Sequence, residues 1–243
     1  MQANEHFKFS NGVVLAPLFA MLAIWTVFWV EVKLGINFND YGIYPRRLSG
    51  LRGVAFSPFI HGSVEHLYNN TIPLAILTAF LVYFYQAAAF RVYVFGILIS
   101  GLLTWLIARP SYHIGASGVI YVLASFIFFK GVFAKHFRLV ALSLVVVFIY
   151  GSMLWYIFPV KENISWEGHL AGFITGFLLA LAIKVKVPVE KKYDWEQENY
   201  NEENDPFLKH FDEDGNFIES TEEEPENHIQ IKYHFKKGSE ADT

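Results

Sequence analysis

Residues 109–129 read RPSYHIGASGVIYVLASFIFF, and the fold turns on how this stretch is read. From Ser117 to Phe129 the chain carries no charge, and its composition suits a membrane helix. Thirteen residues rise only about 20 Å as a helix, whereas the hydrocarbon core of a bilayer is about 30 Å thick. A helix of that length is expected to begin inside the membrane, reached by a loop through residues 109–116 that dips inward. Non-helical backbone at that depth needs protein or a water-filled cavity around it. A cavity is therefore expected at Ser117.

Outward from this stretch, five further apolar segments have near-spanning length: 13–34, 66–85, 90–108, 139–158 and 169–185. With 117–129 as the fourth, they predict an all-α, polytopic bundle of six transmembrane helices. The first is too long for a signal-peptide core, and no Ala-x-Ala site follows it, so it is expected to stay as an anchor. Composition agrees: the 243 residues are 53% hydrophobic and 17% charged. These values exclude an ordinary soluble enzyme, a disordered chain and a nucleic-acid binder with a concentrated basic patch. The absence of cysteine removes disulfides, thiolate nucleophiles and Cys-ligated metals.

The net charge of −4 hides a division. From Pro188 onward 17 acidic side chains face 6 basic ones, while residues 1–187 hold 13 basic and 6 acidic. The expected organisation is a cytoplasmic N-terminus (1–12), a helical domain (13–187) and an acidic, flexible cytoplasmic tail (188–243). Within the tail, 211–217 suggests a tight turn and 229–235 a short strand, and the glycine comes two positions early for an EF-hand loop. Nine basic residues lie near span ends on the N-terminal side and six on the other, which puts both termini in the cytoplasm.

Parity supplies the next inference. Spans two, four and six cross in the same direction, so their N-terminal ends share one side, the extracytoplasmic one. His66 and Asn70, Ser117, and His169 stand at those ends. Intramembrane polar side chains are expensive and usually face a bundle interior or a wet cavity.

Each motif also has a plainer reading. Gly115-Ala116-Ser117-Gly118 offers a hydroxyl at a helix start, where unpaired N–H groups suit a developing oxyanion. Taken alone, it is equally a small-residue turn for helix packing. Gly172-x-x-x-Gly176 would let another helix approach closely, bringing His169 within reach of Ser117 if that helix is span four. Otherwise His169 is an interfacial histidine. Tyr121, one turn after Ser117, is either a support for the His169 ring or an ordinary packed aromatic. His66-x-x-x-Asn70 sets two donors on one helix face, for an oxyanion or for helix–helix hydrogen bonding. His61 and His113 read as loop or interface histidines, and Glu162 and Glu167 as exposed loop residues. No third carboxylate member is evident, so a Ser–His dyad is the simplest assignment. Zinc is the competing use of the histidines, but His-Glu-x-x-His is absent.

Together, His66-x-x-x-Asn70, Gly115-x-Ser117-Gly118 with Tyr121, and His169-x-x-Gly172-x-x-x-Gly176 resemble the rhomboid family of intramembrane serine proteases over roughly residues 50–180. The resemblance implies a six-helix catalytic core with a cavity open to the extracytoplasmic side, here of a bacterial inner membrane. It implies Ser117 as nucleophile and His169 as general base and then acid, with Tyr121 supporting the ring. His66, Asn70 and the Ser117 amide would form the oxyanion hole. The implied substrates are membrane-anchored proteins, single-span or otherwise, cut in or near a transmembrane segment without metal or cofactor. One departure is the first external loop, where many rhomboids carry Trp-Arg; here it reads Tyr44-Pro45-Arg46-Arg47. The alternatives are a catalytically silent rhomboid-like protein that binds membrane segments, and a small transporter or channel.

Overall fold

The structure is a computed structural model that describes residues 7, 9–161, 164–185, 193–212 and 214–218. The chain divides into two units, Met1–Glu190 and Lys191–Thr243. Among the described residues the first unit is helical, apart from an isolated antiparallel bridge between Ile43 and His113.

Helix α1, Gly12–Leu34, has 23 residues and hence a length of about 34 Å. It stops at Gly35, whose φ of 63° is left-handed. The Glu31 side chain folds over this end and accepts the Phe38 N–H at 2.7 Å. A loop containing the short α2, Gly53–Phe56, leads to α3, Val64–Ile107. Forty-four residues would make a straight helix of about 66 Å, twice the membrane core. The chain instead doubles back at Tyr85 (φ −134°, ψ 36°), and the Thr78 hydroxyl meets the Tyr93 hydroxyl. In a straight helix those positions would lie about 22 Å apart. Helix α3 thus supplies spans two and three, and the reversal falls where the sequence predicts the link between them.

Helix α4 runs Ser117–Ala134, α5 Phe137–Tyr150, and α6 Trp166–Ala182. Several predicted boundaries need correction. Span four continues five residues past Phe129, to 18 residues or about 27 Å. Lys130 does not stop it, because its ammonium group donates to the Ala180 and Ile183 carbonyls at the end of α6, at 2.9 and 2.5 Å. Span five is α-helical only to Tyr150 and then tightens into a 3-10 segment, Gly151–Ile157. Span six starts three residues early, at Trp166.

Half of the α4 span is buried, against 17% for α1 and 22% for the α5 segment, so α4 is the central post of the bundle. Ile120, Val122, Leu123, Phe126 and Ile127 pack from it onto Leu67, Leu77 and Leu81 of α3, all close to fully buried. The outer helices turn Phe19, Trp29 and Phe148 outward, at 64, 61 and 91% exposure. Such an apolar exterior suits lipid rather than water.

In the second unit, Asp212 organises the tight turn expected at 211–217. Its Oδ1 accepts the Asp214 and Asn216 N–H groups at 3.0 and 2.7 Å, and Phe211 bridges Phe217. The strand expected at 229–235 lies outside the described residues, as does Glu162.

Candidate functional site

Helices α4 and α6 meet through backbone. A Cβ on Gly172 would overlap the Gly118 carbonyl oxygen and stand 2.9 Å from Tyr121 Cβ. One turn later, a Cβ on Gly176 would overlap the Val122 carbonyl and lie 2.7 Å from Ser125 Cβ. Only hydrogen fits at either place. Gly118 itself has room, since its Cβ would meet the Gly168 carbonyl at an ordinary 3.6 Å. The close approach is thus demanded of α6, and it brings the first turns of both helices together.

His169 lies in the first turn of α6 and is 8% exposed. Its ring stacks on Tyr121, with centroids 4.4 Å apart and planes 14° from parallel. Nδ1 lies 3.0 Å from the Tyr156 carbonyl oxygen. A carbonyl only accepts, so the Nδ1 proton is donated there and the neutral ring leaves Nε2 as a lone-pair base. The Tyr121 hydroxyl donates to the Met153 carbonyl at 2.6 Å. Both acceptors belong to the 3-10 segment Gly151–Ile157, which therefore fixes the stacked pair from one side. Sequence reasoning missed this segment, because any residue provides a carbonyl.

Ser117 is the first residue of α4, half-buried, after a loop shaped by Gly115. Gly115 has φ +107°, a conformation that side-chain-bearing residues avoid, and its N–H donates to the Ser57 carbonyl at 2.9 Å. A Cβ there would stand 2.6 Å from His66 Nε2 and 3.7 Å from Asn70 Nδ2. His66 and Asn70 of α3 therefore lie against the backbone two residues before Ser117. Asn70 donates one amide hydrogen to the His66 carbonyl at 3.0 Å, which leaves the other for a further acceptor. Ser63 caps α3 by accepting the His66 N–H at 3.1 Å, so the cap sets the turn that carries His66. Ser63 in front of an apolar run was a legible signal for this.

Two histidines expected at loops or interfaces are buried beside the site. His61, 2% exposed, packs its ring 4.9 Å from that of His66. It donates from Nδ1 to the Phe59 carbonyl at 3.3 Å and accepts the Ala116 N–H at Nε2, 3.4 Å away. Burial first, and His66 second, lower its pKa from 6.5 to about 4. His113, 4% exposed, donates from Nε2 to the Arg109 carbonyl at 3.0 Å and receives the Ser165 hydroxyl at Nδ1, 2.6 Å away. His61 and His113 do lie in loops, whereas the reading of Glu167 needs correction. Glu167 is 2% exposed within the first turn of α6, not in an exposed loop. It turns inward because Oε1 accepts the Arg109 backbone N–H at 3.2 Å.

A cavity of about 40 Å³ is lined by Ser57, His113, Gly115, Ser117, Ser165 and Gly168, among others. That is room for about two or three waters among polar partners. Among the described residues no group of three His, Asp or Glu side chains is arranged as metal ligands. The loop between the first two spans is held by arginine. Arg46, at a left-handed φ of 58°, donates from Nη1 to the Leu106 and Ala108 carbonyls at 3.1 and 2.8 Å, closing the end of span three.

Residues 49–185 match the family model described as the Rhomboid domain. The uncharacterized protein Rv1337 of Mycobacterium tuberculosis is 34% identical over 181 residues, spanning 70% of this chain and 74% of its own length. The uncharacterized protein ML1171 of Mycobacterium leprae is 31% identical over 193 residues, 74% of each chain. The matched region holds all six spans except the first, together with His61, His66, Asn70, His113, Ser117, Tyr121, Glu167 and His169. The chain is an integral membrane protein and belongs to the rhomboid family.

Proposed function

We propose that this protein is an intramembrane serine endopeptidase that cleaves membrane-anchored proteins in or near a transmembrane segment. One observation carries the reading. The glycine contact between α4 and α6 sets His169 on Tyr121, one turn from Ser117, with Nδ1 engaged by the Tyr156 carbonyl. A base oriented in that way needs no carboxylate partner to hold its tautomer.

In the proposed reaction a substrate segment unwinds at the bundle and presents a peptide carbonyl to Ser117. Oγ bonds to the carbonyl carbon as its proton passes to His169 Nε2. The oxyanion meets the Ser117 N–H, the free Asn70 amide hydrogen and His66, donors that exist before the substrate arrives. The C–N bond then breaks, His169 returns its proton to the departing amine, and an acyl-enzyme ester remains. Water from the cavity attacks the ester, again giving its proton to His169. The carboxylate product leaves and Ser117 recovers its hydrogen. We further propose that both termini are cytoplasmic and that the site faces the opposite side, following the basic span ends.

The test is cleavage of a panel of single-span substrates by the protein in proteoliposomes. Ser117→Ala and His169→Ala should each abolish cleavage while the protein still folds, as a cooperative thermal unfolding transition would show. A fluorophosphonate should label wild type at Ser117 and spare Ser117→Ala. Binding of the same segments without cleavage or labelling would instead mark a silent, segment-binding protein.

A further inference from the structure

Glu167 is a buried acid two residues before His169, yet the imidazole is oriented by a carbonyl and has no need of it. Burying a carboxylate is costly unless it is paired or hydrogen-bonded, so its position calls for a use. Its partners lie in the loop that leads to Ser117. Oε1 accepts the Arg109 backbone N–H at 3.2 Å, and the Arg109 Nε lies 3.8 Å from the same oxygen. The Arg109 Nη2 donates back to the Ile164 carbonyl at 2.8 Å, just before α6. The Arg109 carbonyl receives His113, which in turn takes the Ser165 hydroxyl. Residues 109–113 are thus fastened to residues 164–167 at four points, directly upstream of Ser117 on one side and of His169 on the other.

We infer that Glu167 is a positioning residue: its carboxyl oxygen straps the loop leading into Ser117 to the helix carrying His169 and sets their register. The inference rests on the endopeptidase reading above. The glycine contact fixes how near α4 and α6 lie, and Phe129 on Phe173 and Phe177, with Lys130 on the last carbonyls of α6, ties them farther along; the strap acts at the opposite end, where Ser117 and His169 stand. A sub-ångström slide changes the distance between a nucleophile and its base. Other ties of the loop among the described residues run to Ile43, Ser57 and His61, which lie off α6. What the strap requires is an acceptor for a backbone N–H, and a neutral amide oxygen also meets that requirement.

The test uses the full chain in proteoliposomes with a single-span substrate, kcat and KM measured separately, and hydrogen exchange followed at the Arg109 amide. Glu167→Gln should keep kcat close to wild type. Glu167→Ala should lower kcat by about a hundredfold with KM unchanged, as expected for misplaced reacting groups, and should speed exchange at Arg109. Lys130→Ala, which loosens the opposite end of the same helix pair, is the stability control: it should lower the unfolding midpoint and leave kcat near wild type. If Glu167→Ala does not fold, Glu167→Asp takes its place, since it keeps the charge but falls short of Arg109. It should be slower than Glu167→Gln. The inference is overturned if Glu167→Gln is as impaired as Glu167→Ala, if Glu167→Ala exchanges and turns over like wild type, or if Lys130→Ala loses kcat to the same degree. Should wild type neither cleave nor take the fluorophosphonate at Ser117, the endopeptidase reading fails. The strap is then judged by Arg109 exchange alone: faster in Glu167→Ala supports it, and unchanged overturns it.

Discussion

Gly115 illustrates how one residue type serves two demands. Its φ of +107° excludes an easy side chain, and the space where a Cβ would go is occupied by His66. Gly115→Ala should therefore destabilise the protein by about 1–3 kcal/mol and displace His66. Gly118→Ala, whose Cβ has 3.6 Å of room, should leave the unfolding midpoint nearly unchanged. Thermal unfolding of the two variants side by side checks this contrast, which the motif alone does not reveal. His61 yields a pH prediction. Its pKa is about 4 when folded, against an ordinary 6.5, because it is buried beside His66. The unfolded chain then binds more protons than the folded one between those values. The stability this residue provides is complete above pH 6.5 and falls as pH drops toward 4. His61→Gln, which cannot titrate, should flatten the loss of stability across that window in denaturant unfolding at stepped pH.

Between elements, the α4–α6 contact is closed at both ends, by glycine near the site and by Lys130 at the far end. Gly172→Val would force side chain into backbone, and a cost of about 1–3 kcal/mol or more is expected from overpacking. Because His169 rides on the same helix, cleavage should fall further than stability, which parallel activity and unfolding measurements would reveal. Tyr121 separates two contributions. Tyr121→Phe keeps the stacked ring but loses the bond to the Met153 carbonyl, a loss of about 1 kcal/mol in stability. Tyr121→Ala removes both, and should lower kcat well beyond Tyr121→Phe. The 3-10 segment explains why: it holds Tyr121 through Met153 and His169 through Tyr156, so the end of span five steadies the base.

Over the whole molecule, charge and hydropathy divide the chain more sharply than its net charge suggests. The basic span ends predict cytoplasmic termini, so a fluorescent protein fused at the C-terminus should fluoresce. A periplasmic reporter inserted near residue 46 should be active; the reverse pattern would invert the topology. The acidic tail lies outside the matched region, which ends at residue 185. Removing residues 195–243 should leave cleavage of a reconstituted substrate unchanged, and a loss of activity would assign the tail a catalytic contribution.

The six-helix bundle was legible in the sequence, and so was the approach of His66 and Asn70 to the loop that leads into Ser117. Apolar length and direction of crossing are properties of segments taken singly, and the number of crossings determines which ends share a side. The close approach of α6 was legible too, because Gly172 and Gly176 advertise missing side chains. The extension of α4 past Lys130 was not, since it depends on carbonyls some fifty residues away that accept the ammonium. Nor were the carbonyl orienting His169 and the burial of His61, His113 and Glu167. Backbone acceptors carry no residue signature, and a polar side chain in a loop reads as exposed until the partners that satisfy it are brought beside it. Which polar groups are present is a matter of sequence; which of them are removed from water and paired is decided only when distant segments pack.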